Sequence, residues 1–127
     1  MHGSEARSLL HPFLLLLICE RPGHGYDLIH RLSCLGVPGV EPGHVYKVLR
    51  SLERERMLES AWLTSAPGPA RRRYQLTARG RAELEDWMAR LAQLDHTLDA
   101  CLARWAKVSA VSAGHPLNGQ RSQSAVP

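Results

Sequence analysis

The sequence is short of the residues that mark catalysts, secreted scaffolds and membrane spans. Aromatic residues make up only 6% of its 127 positions, and phenylalanine occurs once, so the core must rest on leucine. Cysteine occurs three times, at Cys19, Cys34 and Cys101, with no Cys-x-x-Cys pair. An odd count without such a pair argues against a disulfide framework. The thiols read as reduced and mostly buried, as in a cytosolic protein. The wholly apolar run Phe13 to Cys19 is only seven residues long, whereas a membrane-spanning helix needs about 20. No secretory signal is visible, and a cytoplasmic location is expected. There is no Gly-x-Ser-x-Gly, no phosphate-cradling glycine loop and no His-Glu-x-x-His. The histidines are scattered. Cys19 and His24 lie near each other without further ligands, and His44 and His96 have no acidic or cysteine cluster around them. No enzyme activity, catalytic residue, metal site or cofactor is expected.

What is present is a mildly basic chain, with a formal charge of +4, and enough apolar residues for one modest domain. A positive balance fits a polyanionic partner. The pattern predicts a mainly α fold: three helices, a two-stranded β wing and a long C-terminal helix. Residues 1–6 read as a flexible leader. The first helix is expected from Arg7 to about Glu20, stopped by Arg21-Pro22-Gly23. The second runs from His24 to Cys34, with Leu28, Ile29, Leu32 and Leu35 at helical spacing. A loop rich in glycine and proline follows. Pro42 then suits the first turn of a third helix, whose apolar face is Val45, Val48, Leu49 and Leu52. Strands are expected at 58–64 and 71–76, joined by a Pro-Gly-Pro turn. In the second strand Arg72, Tyr74 and Leu76 face one way, and Arg71, Arg73 and Gln75 the other. The expected organisation is a compact domain over 7–76, a helix over 77–107 opened by Thr77, and a disordered tail over 108–127.

The last helix carries the clearest periodicity. Leu84, Leu91, Leu98 and Trp105 recur every seven residues, and Trp87, Leu94 and Cys101 form a second series offset by three. Met88 and Leu102 widen the stripe. This is an a/d seam. A helix of about 30 residues is roughly 45 Å long, more than a small core can cover. The seam therefore predicts a homodimer through Leu84, Trp87, Leu91, Leu94, Leu98, Cys101 and Trp105, helped by the first helix.

Three basic features lie close together. The third helix offers His44, Lys47, Arg50 and Arg54 on its polar side; the hairpin offers Arg71, Arg72 and Arg73; the second helix opens with His24, Gly25 and Tyr26. A helix fits the major groove of DNA, arginines on a hairpin can neutralise phosphates, and a helix start presents free N–H groups to a phosphate.

Four motifs in order carry a resemblance. Arg21-Pro22-Gly23-His24-Gly25-Tyr26-Asp27-Leu28 resembles the P-x-H-G-Y-E-L opening of a second helix. Gly43-His44-Val45-Tyr46-Lys47-Val48-Leu49-Arg50-Ser51-Leu52-Glu53 resembles a G-T-L-Y-P-x-L-x-R-L-E recognition helix. Trp62 with Gly68-Pro69-Ala70-Arg71-Arg72-Arg73-Tyr74 resembles a wing, and Leu76-Thr77-Ala78-Arg79-Gly80 an L-T-x-x-G helix start. Together they resemble the PadR family of regulators over about residues 9–105, in the subgroup with a single C-terminal helix. The resemblance implies a winged helix-turn-helix that binds double-stranded DNA, and a homodimeric repressor on a pseudo-palindromic operator. It implies that Tyr46 touches the DNA backbone, that His44 and Lys47 face the groove, and that Arg71 to Arg73 lie along the wing. The recognition helices of such a dimer sit roughly 34 Å apart. Lys47 stands where the family commonly has proline and His44 where threonine is usual, so no operator sequence carries over. Some short relatives take flat aromatic effectors at a tryptophan of the last helix. That position falls near Leu91, not at Trp87 or Trp105, so a small aromatic effector is not supported by residue match. The competing reading is a winged-helix interaction module acting as co-regulator or antagonist of another DNA-binding protein.

Overall fold

In a computed structural model the described residues are 9–37, 39–63 and 71–113. The expected leader, the wing tip and the chain after Ala113 lie outside them. The chain divides into two units, one ending at Met88 and one beginning at Ala89.

The first unit is built from three helices, α1 (Leu10–Glu20), α2 (Gly25–Leu35) and α3 (Pro42–Arg54), and a sheet of β1 (Gly23–His24), β2 (Leu58–Leu63) and β3 (Arg71–Leu76). The first turns of α4 (Ala78–Ala113) complete it. Helix α1 buries residues on nearly every side, Leu10, Leu14, Leu15, Leu17 and Ile18 among them, and packs on α2, α3 and β3. Its lack of polar interruption is explained by that central place. Leu28 and Leu32 of α2, and Val45, Leu49 and Leu52 of α3, close the core around it. Leucine dominates, as the scarcity of aromatics requires.

The ends of these helices follow local chemistry. Gly36 terminates α2 with φ 101°, and the Val37 N–H donates to Leu32 while Val37 itself is buried, a Schellman closure with its apolar contact. The C-terminus of α1 is closed by a residue of α2. Arg31 is only 8% exposed; its Nη1 donates to the Arg21 carbonyl at 3.0 Å and its Nη2 donates to the Leu17 carbonyl. Asp27, one turn back, pairs with Arg31 at 3.4 Å. A cation at a helix C-terminus satisfies carbonyls that have no intrahelical donor.

The sheet is three-stranded and antiparallel, in the order β1-β3-β2. The expected wing had two strands; the additional one is Gly23–His24, pairing Gly23 with Tyr74 and His24 with Arg73. Two residues are too few to show alternation, and their partner strand lies far along the chain. Between β2 and β3 the register pairs Leu58 with Leu76, Ser60 with Tyr74 and Trp62 with Arg72. The alternation read for 71–76 holds: Tyr74 is buried, Arg72 and Leu76 are half-buried, and Arg71, Arg73 and Gln75 are exposed.

Helix α4 starts on a built joint. Thr77 donates its hydroxyl to the Arg56 carbonyl at 2.6 Å and its N–H to the Met57 carbonyl at 3.1 Å; its Oγ1 accepts from the Gly80 N–H at 3.0 Å. Gly80 is required there, because a Cβ would sit 2.1 Å from the Met57 carbonyl oxygen. The helix runs to Ala113, six residues past the Lys107 at which sequence reading ended it. In the second unit the helix from Ala89 leaves Leu94, Leu98, Leu102, Trp105 and Val108 exposed. Cys34 and Cys101 are also exposed and Cys19 half-buried, which corrects the expectation that most of the thiols are buried. Apolar sequence neighbours did not predict their side of the helix. No described helix is long and apolar enough to cross a membrane.

Candidate nucleic-acid interface

The polar side of α3 is set by the spacing of its core residues. With Val45, Val48, Leu49 and Leu52 turned inward, Gly43, Lys47, Arg50 and Arg54 fall on an exposed stripe, and His44 and Ser51 are half-exposed beside it. In β3 the strand period turns Arg71 and Arg73 outward. Among the described residues, Lys47, Arg50, Arg54, Arg71 and Arg73 make no ion pair. Five cations on two elements are thus left to solvent or to a partner.

Arg72 is placed differently. Its guanidinium pairs with Glu53 of α3 at 3.6 Å and lies 4.9 Å from the centre of the Trp62 ring. Glu53 also accepts a hydrogen bond from the Ser60 hydroxyl at 2.5 Å. The wing is therefore tied to the end of α3 through one carboxylate. Behind Arg72 sits Tyr74, whose phenol is pushed above its ordinary pKa by burial, with Arg72 working against the shift.

A second junction joins α2 to α3. The Tyr46 ring lies against Gly25, where a Cβ would meet a ring carbon at 2.3 Å. The glycine of the His-Gly-Tyr motif is thus the space into which the tyrosine of the next helix fits. His24 brings its Nδ1 to 3.4 Å from the Arg72 carbonyl, and Tyr26 stands 77% exposed at the start of α2. His24, Gly25, Tyr26, Tyr46, Trp62, Arg71, Arg72 and Tyr74 together line a concavity of about 370 Å³.

Of the residues expected to meet DNA, His24, Tyr26, Tyr46, Arg71 and Arg72 thus converge on one depression. Lys47, Arg50 and Arg54 form the open stripe of α3, with His44 at its side. Arg73 faces away from Arg72 on the same strand. Of the residues expected in the helix seam, Leu84 is buried in its own unit and Trp87 packs against that core; Leu94, Leu98, Cys101 and Trp105 are exposed and Leu91 is partly so. Sequence reasoning did not single out Glu53 or Trp62 as site residues. Glu53 is the last residue of the motif that carried the resemblance, and Trp62 is an aromatic residue at a strand end in a chain poor in aromatics.

Three helices with a basic third, followed by a hairpin latched to it, define a winged helix-turn-helix of the DNA-binding class. The chain belongs to the transcriptional regulator PadR-like family, which it matches over residues 14–86, more than half its length. Similar solved structures agree. A PadR-like transcription factor from Bacteroides fragilis is 27% identical, with a TM-score of 0.66 over 78% of this chain and 95% of that one. A PadR-like transcriptional regulator from Bacillus cereus is 25% identical, with a TM-score of 0.72 over 79% and 97%. A PadR family regulator from Eggerthella lenta is 26% identical, with a TM-score of 0.69 over 78% and 86%. No curated protein matches the chain. The protein is a transcriptional regulator rather than an enzyme.

Proposed function

We propose that the chain is a repressor that binds a pseudo-palindromic operator as a homodimer. The observation that carries the reading is the set of exposed cations that make no ion pair among the described residues: Lys47, Arg50 and Arg54 on α3, and Arg71 and Arg73 on the wing. Helix α3 enters the major groove, with Lys47 and Arg50 reaching base edges and Arg54 a phosphate. The wing arginines meet the flanking backbone. Tyr46, His24 and Tyr26 lie beside the same strand. The apolar residues of α4 left exposed in the second unit pair with those of a second copy, giving the two-fold symmetry that an inverted repeat requires.

The experiment is selection of duplexes from a random pool by the purified full chain. An inverted repeat is expected, with half-site centres about one helical turn, or roughly 34 Å, apart. A promoter carrying that repeat should be transcribed less in vitro when the protein is added. Enrichment of a single asymmetric site would remove the dimeric reading; no enrichment, with no salt-dependent DNA binding, would remove the DNA reading altogether.

A further inference from the structure

Trp62 keeps 62% of its surface in water, in a unit whose other large apolar residues are mostly buried. An indole is a large apolar body, and covering it with a partner's apolar surface is favourable. Its register with Arg72, on the side of the hairpin shared by Ser60 and Tyr74, turns it toward α3 rather than away. One ring face is covered by the Arg72 guanidinium at 4.9 Å. Arg72 is itself fixed from behind by Glu53 at 3.6 Å, and its Nε is enclosed with no hydrogen-bond partner. The guanidinium is therefore committed inward, to carboxylate and ring. The ring forms one wall of the concavity of about 370 Å³; Tyr26 and Gly25 of α2 and Tyr46 of α3 line the rest, and Arg71 stands among the lining residues.

A sugar–phosphate backbone offers two chemistries in alternation, an anionic oxygen cluster and an apolar ring edge. The end of the hairpin carries complements to both, the aromatic wall of the depression at Trp62 and, one residue before Arg72 on the outward face of β3, the exposed cation Arg71. In a duplex the bases are stacked and paired, so the apolar surface within reach of a wing is the deoxyribose. We propose that Trp62 is a DNA-contacting residue, packing its free ring on a deoxyribose of the strand whose phosphate Arg71 meets. Arg72 and Glu53 are positioning residues that hold the ring in place and touch no phosphate. The inference rests on the DNA-binding reading above.

The test uses the full chain and a fluorescein-labelled duplex of mixed sequence about three helical turns long, titrated at several salt concentrations. Trp62→Ala is expected to weaken binding roughly tenfold with the log–log salt slope unchanged, because an apolar contact releases no counterion. Trp62→Phe should keep most of the affinity. Arg71→Ala should lower the slope by about 0.9 for each bound protomer. Arg72→Ala should weaken binding at constant slope, and Arg72→Lys, which keeps charge but not the planar stack, should fall between. With 5-fluorotryptophan incorporated, the Trp62 fluorine resonance should move in free Arg72→Ala protein, and in the wild type when DNA is added. That readout stands even where Arg72→Ala is poorly folded. Wild-type affinity in Trp62→Ala, with Arg71→Ala still lowering the slope, overturns the proposal while leaving the DNA reading intact. A slope lowered by about 0.9 per bound protomer in Arg72→Ala overturns it too, since that arginine would then be on a phosphate. Wild-type protein that shows no salt-dependent binding at all ends both readings.

Discussion

At the residue scale, single positions show how side-chain volume is traded between elements. Gly25 opens α2, and alanine there would ordinarily favour a helix by about 1 kcal/mol. The Tyr46 ring occupies the space that the added Cβ would need. Gly25→Ala is therefore expected to destabilise by about 1 kcal/mol, and to become neutral or stabilising in a Tyr46→Ala background. Urea unfolding of the two single variants and the double variant checks the coupling; an additive result would remove the contact. Tyr74 gives a pH test. Its folded-state pKa is raised, with burial as the largest cause. The unfolded chain therefore ionises first, and the contribution is fully present below about pH 10 and lost as pH rises through the folded value. Urea midpoints followed from about pH 9 to about pH 11.5, across the tyrosine range, should fall less steeply in Tyr74→Phe than in the wild type. Parallel curves would show that another group sets the alkaline limit.

At the element scale, the helices were legible because their signals are local. Val45, Val48, Leu49 and Leu52 define α3 within its own residues, and Pro42 marks its start. The two faces of β3 were legible for the same reason. What that alternation could not supply was the partner on the inward side. The resemblance sets Arg72 along the wing with Arg71 and Arg73; its guanidinium meets Glu53 and Trp62. Alternation sets the middle of the three arginines on the inward face, and only the pairing of strand with helix shows that Glu53 and Trp62 await it there. Strand β1 was hidden likewise, since Gly23 and His24 are a strand only because β3 runs beside them. The joint between α3 and α4 is the element with the sharpest test. Thr77→Ala should cost about 1 kcal/mol as a lost N-cap. Gly80→Ala should cost more, about 1–3 kcal/mol, because backbone rather than a flexible side chain blocks the new methyl. Chemical denaturation of both variants decides the order. A milder effect at Gly80 than at Thr77 would mean that the joint can open.

At the scale of the whole molecule, the seven-residue repeat divides its work. Leu84 serves its own unit's core, while Leu94, Leu98, Leu102 and Trp105 remain exposed further along the same helix. The sequence pattern does not mark where one task ends and the other starts, because a single repeat runs through both. Replacing Leu94 and Leu98 together with glutamate should leave a folded chain that sediments as a monomer. Its affinity for a palindromic duplex should fall by about 100-fold, the effective-concentration advantage of two linked half-site contacts. A double variant that still sediments as a dimer would move the interface elsewhere, with α1 the next surface to examine.

Thr77, Met57 and Gly80 have one more consequence, for anyone who wishes to rewire the protein. The carbonyls that follow α3 are the anchoring points of α4, so the two helices behave like a gear and its shaft keyed together at the Met57 oxygen. A foreign helix grafted in phase after Leu84 would keep that joint intact. Inserting one residue between Thr77 and Gly80 would turn the graft by about 100° and bring a bulkier side chain against the key.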